Sequence, residues 1–442
     1  MRGLRDPIRL IPVLFLCAIA LGTLVLSLPW ATTEGIRAPF LTALFTATSA
    51  VAVTGLIVVD TPTYWSPFGQ GAILLMFQLG GLGIMTAATL LGLMAGRGFG
   101  LRDRMATQVE RSRLNLLATP SLLKMILGIT LSVELVVAAA LSARFALGWH
   151  MEWPMAVWHG LFQAVSAFNN AGFSTFSDSL MGFQNDWLIL VPIAVAVIIS
   201  GLGFPVMEDW REHGLRWRKW TLHSKVTLAG TVLLLVFGFV ATLAMEWSNP
   251  NTLGPMPIAS KMLNAGFHSV MPRTAGFNSL DMGAYREETL VLNYLLMFVG
   301  GGSAGTAGGI KITTFLVLVM IVLAEVLSRR DAAMFGRRFG HAIERQALTV
   351  ASIALMLVLG STMFITSVTT HPLQDVLFET ISAFATVGLS TGITADLPPP
   401  ALLVLAFLMF VGRVGTITAA TALALGGSDK PYRYPEENPI VG

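Results

Sequence analysis

The sequence predicts an all-α membrane protein made of four repeats, each a spanning helix, a short re-entrant helix with its loop, and a second spanning helix. Three observations carry that expectation. Of 442 residues, 54% are hydrophobic and only 12% charged, against roughly 25% charged in an ordinary soluble chain. The apolar residues come in runs long enough for a bilayer, whose core of about 30 Å takes about 20 residues of helix. Those long runs alternate with short ones in a long–short–long pattern that recurs four times. This composition excludes a soluble enzyme and a disordered chain alike.

The long runs cover roughly 10–29, 68–95, 121–147, 187–207, 222–246, 289–327, 346–368 and 400–426, and the short ones lie near 39–50, 154–168, 257–270 and 372–385. A run of about a dozen residues makes about 20 Å of helix, too little to cross. The repeats therefore divide as 1–95, 96–207, 208–327 and 328–428, followed by a tail at 429–442. Cys17 is the single cysteine, so no intrachain disulfide is expected. Basic residues and an apolar run open the chain, but no small-x-small cleavage site follows Pro29, which argues against a removed signal peptide.

Positive charge sets the orientation, because cytoplasmic connections hold the excess of Lys and Arg. The links at 96–120, 208–221 and 328–345 carry five, four and five of them. Arg2, Arg5 and Arg9 precede most of the first run, and Lys430 and Arg433 follow the last. Connections around the short runs offer little beyond Arg37 and Arg286, and hold acids such as Asp60, Asp178, Glu287 and Asp396. Both termini are therefore expected in the cytoplasm, at the plasma (inner) membrane, with every short run entering from outside. No nucleic-acid-binding module accompanies the basic links, so nucleic acid is not an expected partner. Anionic membrane lipids are.

The short runs repeat in detail. Leu44-Phe45-x-x-x-Ser49-Ala50, Leu161-Phe162-x-x-x-Ser166-Ala167 and Leu377-Phe378-x-x-x-Ser382-Ala383 share one spelling. Pro39, Pro154, Pro257 and Pro372 stand where a helix would begin, a place where the missing N–H costs nothing. They precede Gly55, Gly172, Gly276 and Gly388 by 16, 18, 19 and 16 residues. The segments ending there are Val53-Thr54-Gly55, Asn170-Ala171-Gly172, Thr274-Ala275-Gly276 and Thr386-Val387-Gly388. Chain that enters as a half helix and returns extended has unpaired carbonyls, which lipid does not tolerate and a water- or ion-filled path does. Four such loops around one pseudo-fourfold axis supply rings of backbone oxygen that replace a cation's hydration shell. Glycine permits the dihedrals that aim those carbonyls inward, and the helix C-termini add negative potential.

At these residues the chain resembles a known family. Thr386-Val387-Gly388 is similar to the start of the potassium-channel filter signature, and the layout resembles the KtrB/TrkH superfamily of potassium transporters. The likeness covers nearly the whole chain. It includes Ala47-Thr48-Ser49-Ala50, Val53-Thr54-Gly55-Leu56, Ser166-Ala167-Phe168-Asn169-Asn170-Ala171-Gly172-Phe173, Arg273-Thr274-Ala275-Gly276-Phe277-Asn278 and the run from Glu379 to Leu389. A single spanning run precedes Pro39 where TrkH-type relatives have an extra helix pair, and Tyr434-Pro435-Glu436 also fits the KtrB type, the membrane subunit of Ktr uptake systems.

The resemblance implies potassium as the transported ion, coordinated by carbonyls of the filter segments. It also implies sodium as an activator, a homodimer with one pore per protomer, and a cytosolic ring of KtrA-like regulatory subunits that bind nucleotides. No organic cofactor is implied. A dimer contact through the tail rests on the resemblance alone. One glycine per filter segment, against two in tetrameric potassium channels, implies fewer ion sites and looser selectivity. The third repeat departs from the shared spelling and carries His268 and Arg273 instead, which leaves its helix register open.

Gly300 to Gly309 places six glycines in ten residues inside the sixth long run. Such a stretch cannot hold a membrane helix, so the chain should unwind there, beneath the filter. A phosphate loop needs glycine directly before lysine, and Ile310 precedes Lys311, so ATP binding is not the reading. Gly302, Ser303, Ala304, Gly305, Thr306, Ala307, Gly308 and Gly309 are instead expected to form a gate with Arg413, whose charge at membrane depth costs several kcal/mol unless partnered. Asn169, Asn170 and His268 are expected to hydrogen-bond the scaffold through their side chains. Histidine spacing offers no transition-metal site, and no nucleophile–base pair suggests an enzyme. A passive, gated cation pore is the leading expectation. A symporter coupled to sodium or protons is the alternative, with Glu134 and Glu325 as its weak candidate acids. A scaffold or receptor leaves the four glycine loops unexplained.

Overall fold

Four short helices organise the chain: α2 (Phe40–Val51), α5 (Trp153–Asn169), α9 (Ile258–Val270) and α13 (Leu373–Ala385). Pro39, Pro257 and Pro372 sit at their N-caps and Pro154 in the first turn, so proline marks the start of each. These bounds agree closely with the short runs read from the sequence. The structure, a computed structural model, describes residues 7–95 and 119–415. Most of the basic link at 96–120, the end of the run expected at 400–426 and the tail at 429–442 fall outside those residues.

Around each short helix stand two flanking helices. They are α1 (Pro7–Leu26) and α3 (Pro67–Ala95), then α4 (Thr119–Gly148) and α6 (Trp187–Leu202). Next come α8 (Leu222–Glu246) with α10 (Glu287–Phe298), and α12 (His341–Val368) with α14 (Pro399–Phe410). Outward faces are apolar and bare: Leu24 is 68% exposed, Val136 69% and Met363 75%. Such surface has no place in water and matches lipid tails. Among the described residues, Leu123–Gly148, Leu222–Glu246 and His341–Val368 are each long and apolar enough to cross a bilayer unaided.

Two long runs are broken. The sixth divides into α10 and α11 (Ile312–Val326), as the glycine stretch predicts. The fourth, expected to be continuous, ends at Gly203, and α7 (Phe204–His213) leaves at 91° to α6. Gly203 has φ +87°, a conformation open to glycine and strained for other residues. Past Phe410 the last helix widens into a π turn, Val411–Gly415, a device often found where a helix is locally reshaped for function.

The elements close in a cycle. Helix α3 packs on α5, α6 on α9, α10 on α13, and α14 returns to α2. Each closing helix thus buries the short helix of the next set, and the last buries the first.

Candidate functional site

Each short helix ends in a left-handed turn that leads into its glycine. Val53 (φ 57°), Asn170 (60°), Thr274 (81°) and Thr386 (51°) adopt positive φ, as do Gly55 (94°), Gly172 (70°), Gly276 (73°) and Gly388 (90°). The residue between each pair has negative φ. That alternation turns successive peptide planes so that neighbouring carbonyls can face one side, unlike the alternating carbonyls of a strand. Positive φ at a non-glycine costs roughly 1–2 kcal/mol, so the surrounding contacts must enforce it.

The shared serine supplies part of that enforcement. Ser49 Oγ accepts from the Gly55 N–H and Ser382 Oγ from the Gly388 N–H, both at 3.1 Å. Ser166 Oγ instead donates to the Phe173 carbonyl at 2.7 Å. The N–H of Thr54, Ala171 and Val387 each reaches the carbonyl of that serine at 2.8 Å. In the third repeat Val270 occupies the serine's place, and the Ala275 N–H bonds Met271 O at 3.1 Å. The turn there is one residue tighter. A polar brace behind it replaces the serine: His268 meets Asn293 Oδ1 at 2.9 Å and stacks on Tyr285, while Arg273 donates to Thr231 O at 3.2 Å. Burial pushes the Tyr285 phenol above its ordinary pKa, so the ring stays neutral beside the histidine.

The four glycines meet in a ring. A Cβ added to any one of them would stand 3.0–3.2 Å from the Cα of the glycine in the next segment. The order is Gly55 to Gly172, Gly172 to Gly276, Gly276 to Gly388, and Gly388 back to Gly55. The same added atoms would press on the carbonyl oxygens of Ala171, Ala275, Val387 and Thr54. Every glycine therefore makes room for its neighbour's backbone. All four short helices direct their C-termini toward this ring, and such termini favour a cation. A cavity of about 370 Å³ opens above the ring, with Asp60, Asp178 and Asn278 on its wall. The side chain of Asn170 points elsewhere, donating to Thr274 Oγ1 at 3.4 Å and accepting from Ser200 Oγ at 3.0 Å.

Residues 300–309 are non-helical and lie against this ring from the other side. The loop's ends are stitched by Gly300 N–H to Ile310 O at 2.8 Å and Ile312 N–H to Gly301 O at 3.0 Å. Its middle is held by the break in the fourth run: Gly302 N–H donates to Gly201 O at 2.8 Å, and Phe204 N–H to Ala304 O at 3.3 Å. A Cβ on Gly308 would collide with Thr386 Oγ1, so the loop touches the segment Thr386-Val387-Gly388 directly. Arg413, 2% exposed, donates through Nη1 to the Thr306 carbonyl. Its Nε and Nη2 are buried without a hydrogen-bond partner. Lys311 Nζ donates to Ala307 O. Ser303, Gly305 and Gly309 complete the loop, Ser303 Oγ meeting Thr313 Oγ1 at 3.2 Å.

Sequence reasoning missed four participants: Lys311, Gly203, Glu246 and Glu379. Lys311 was weighed only as a phosphate ligand, yet it clamps the loop beside Arg413. Gly203 gave a signal, a glycine two residues before Pro205, hidden in an apolar run. Buried acids were also undercounted. Glu325 is exposed, whereas Glu246 and Glu379 are buried. Glu379 accepts from Ser390 Oγ, from the Thr391 N–H at 3.2 Å and from Thr394 Oγ1 at 2.8 Å, bracing the chain just past Gly388. Gln163 does the matching work in the second repeat, donating to Ser174 Oγ at 2.7 Å. Glu246 accepts from Thr252 Oγ1, Thr289 Oγ1, Asn249 Nδ2 and the Arg286 N–H, tying the outer loops of the third repeat.

Comparison with known proteins gives the same picture at whole-chain scale. A family model described as TrkH, cation transport protein, matches residues 19–433. The chain is 38% identical over 436 residues to the Ktr system potassium uptake protein B of Bacillus subtilis, covering 99% of this chain and 97% of that protein. It is 36% identical over 446 residues to the potassium/sodium uptake protein NtpJ of Enterococcus hirae, covering 99% and 97%. The crystal structure of the potassium transporter TrkH from Vibrio parahaemolyticus superposes with a TM-score of 0.74 at 18% identity, over 94% of this chain and 84% of that one. With the fold, the glycine loops and the family model all in agreement, the chain belongs to the TrkH family of cation transport proteins.

Proposed function

We propose that this protein is a potassium uptake pore, in which four repeats surround one pseudo-fourfold axis. The filter is formed by Val53, Thr54, Gly55, Asn170, Ala171, Gly172, Thr274, Ala275, Gly276, Thr386, Val387 and Gly388. Their carbonyls take over the hydration shell of the ion. One observation carries the proposal: the cyclic contact of the four glycines, each vacating the space that its neighbour's carbonyl needs. Potassium as the ion is supported by the relatives, which are potassium uptake or potassium/sodium uptake proteins. Sodium stimulation is supported by the latter.

The loop from Gly302 to Gly309 is the gate in this reading. Its backbone lies across the path below the filter, and Arg413 holds it there while opposing cations electrostatically. A homodimer and a cytosolic nucleotide-binding ring complete the assembly in this reading, of which the word "system" in the relatives' names supports a partner subunit. A plasma-membrane location with cytoplasmic termini is supported by the exposed Arg216, Arg218 and Lys219 on the link after α7. The gate responds when that partner moves the flanking helices, as a two-state element biased from outside.

Rubidium uptake into proteoliposomes, with sodium and proton gradients clamped independently, tests this function. Uptake should follow the potassium or rubidium gradient alone. Accumulation against that gradient, driven by sodium or protons, would establish a coupled carrier instead.

A further inference from the structure

One buried serine touches both the loop and the segments that form the ring. Ser200, in the last turn of α6, is fully buried. Its carbonyl accepts from the Thr306 N–H at 3.4 Å, and a Cβ on Gly305 would stand 2.9 Å from the same oxygen. Its hydroxyl donates to Asn170 Oδ1 at 3.0 Å and faces Val197 O at 3.2 Å. The Asn170 amide reaches on to Thr274 Oγ1 at 3.4 Å. Bonds thus run from Thr306, whose carbonyl Arg413 holds, through Ser200 to the opening residues of the second and third glycine loops. Turning the amide over exchanges donor and acceptor and keeps both bonds, because hydroxyls do either. Thr306 adds a second tie, its own hydroxyl donating to Phe168 O at 3.5 Å near the end of α5.

These bonds are placed to pass movement on. Asn170 and Thr274 hold positive φ, 60° and 81°, which a residue with a side chain adopts only under constraint. Their side chains are tied to each other and to Ser200, so the ties are part of that constraint. The ring glycines, Gly172 and Gly276, follow two residues later. The Ser200 hydroxyl has one hydrogen and two acceptors. With the loop in place it bonds Asn170. If α6 shifts, Val197 O, three residues back on the same helix, takes the hydrogen over, and the hydroxyl keeps a partner. One hydroxyl with two arrangements makes the link a discrete element that loop and segments both bias. The loop meets Thr386 as well, by direct contact at Gly308. Val53, the apolar opening residue of the first loop, has no side-chain part in these bonds.

We infer that Ser200 is a positioning residue that couples the gate loop to the filter, so that ion preference follows the position of the loop. Withdrawing the loop removes the Thr306 bond from Ser200, frees the end of α6 and loosens the second and third filter segments. Coupling of this kind is reciprocal. Potassium held in the filter therefore favours the seated loop, and a high potassium concentration restrains its own entry. Ser200 touches no ion in this scheme and acts only through Asn170. The inference rests on the pore and gate reading and adds the connection between the two.

The test is a double-mutant cycle on the full-length chain in proteoliposomes, read as the rubidium-over-sodium preference from inhibition of rubidium uptake by sodium. Ser200→Ala removes the hydroxyl and keeps the α6 backbone. It should lower the preference about fivefold, the worth of one hydrogen bond. Arg413→Ala frees Thr306, and should lower the preference about threefold while raising flux, since the Thr306–Ser200 bond is the longer one. The double variant should match Ser200→Ala alone, because a freed loop then has nothing left to release. Lys311→Met, which unclamps the loop at Ala307, takes the place of Arg413→Ala if that variant does not survive purification. Unchanged preference in Ser200→Ala overturns the coupling, whatever happens to its melting temperature. So does a double variant whose loss is the product of the single losses, about fifteenfold. Absence of rubidium uptake by the well-folded parent would refute the pore reading, and unchanged flux in both Arg413→Ala and Lys311→Met the gate reading. Either result removes the coupling too, and flux alone tells it from the two before.

Discussion

Gly388 illustrates what a single residue contributes. Its φ of +90° is strained for other residues, and a side chain would run into the Thr54 carbonyl of the first glycine loop. Gly388→Ser should therefore lower potassium-over-sodium preference by about tenfold, since strain of roughly 1–2 kcal/mol at one carbonyl ring translates to that factor. Competition of sodium with rubidium uptake measures it. Unchanged preference after substitution at two or more of Gly55, Gly172, Gly276 and Gly388 would sink the carbonyl-filter reading. The serine beneath predicts a milder effect. Ser382→Ala removes the acceptor for the Gly388 N–H, and should cost about 1 kcal/mol in thermal stability, whereas Ser166→Ala frees a carbonyl instead of an N–H. These glycines and serines were legible in the sequence because they recur at fixed distances from a proline. Gly203 recurs nowhere, and its need for positive φ comes from a loop a hundred residues downstream, which no local pattern reports.

At the scale of elements, the loop between α10 and α11 is held by groups of unequal strength. Backbone bonds with Gly201 and Phe204 tie it to the break in the fourth run, and two cations clamp Thr306 and Ala307. A charge-assisted hydrogen bond contributes about 1.5–3 kcal/mol, so removing one clamp should release the loop without unfolding the helices. Arg413→Ala, or deletion across Ser303 to Gly308, is expected to raise rubidium flux about tenfold and weaken its dependence on the regulatory subunit. Flux at or below the parent level in well-folded variants, with regulation intact, would falsify the gate assignment. The helices themselves were readable from run length and proline position. The hydrogen-bonded braces were not. Hydropathy tells that Glu379 and Glu246 are charged, but only the folded chain brings the hydroxyls and N–H groups that let them be buried. The missing serine of the third repeat was visible as a departure, while its replacement by His268 and Arg273 contacts depended on Asn293 and Thr231, far away in sequence.

The basic links concern the molecule as a whole: Arg216, Arg218 and Lys219 are exposed, and docking of a cytosolic partner on the links at 96–120 and 208–221 is the bolder reading of them. Neutralising Arg102, Arg104, Arg111, Arg113, Arg216, Arg218 and Lys219 together should abolish co-purification of the regulatory subunit from cells expressing both. A stable complex that survives all seven changes would reduce these links to orientation signals. The cyclic packing has a different reach. Gly388 needs Thr54 beside it, and α14 rests on α2, so the first segment of the filter has only one of its two neighbours until the final repeat is in place. Membrane chains are made from the N-terminus onward, and the ends of this ring are separated by most of the polypeptide. On the proposed pore reading, ion conduction is then among the last properties to appear during biosynthesis: a chain truncated before its fourth short helix is expected to insert most of its helices without a selective path. Selective conduction is thereby tied, on that reading, to completion of the chain, since no partial product closes the glycine ring.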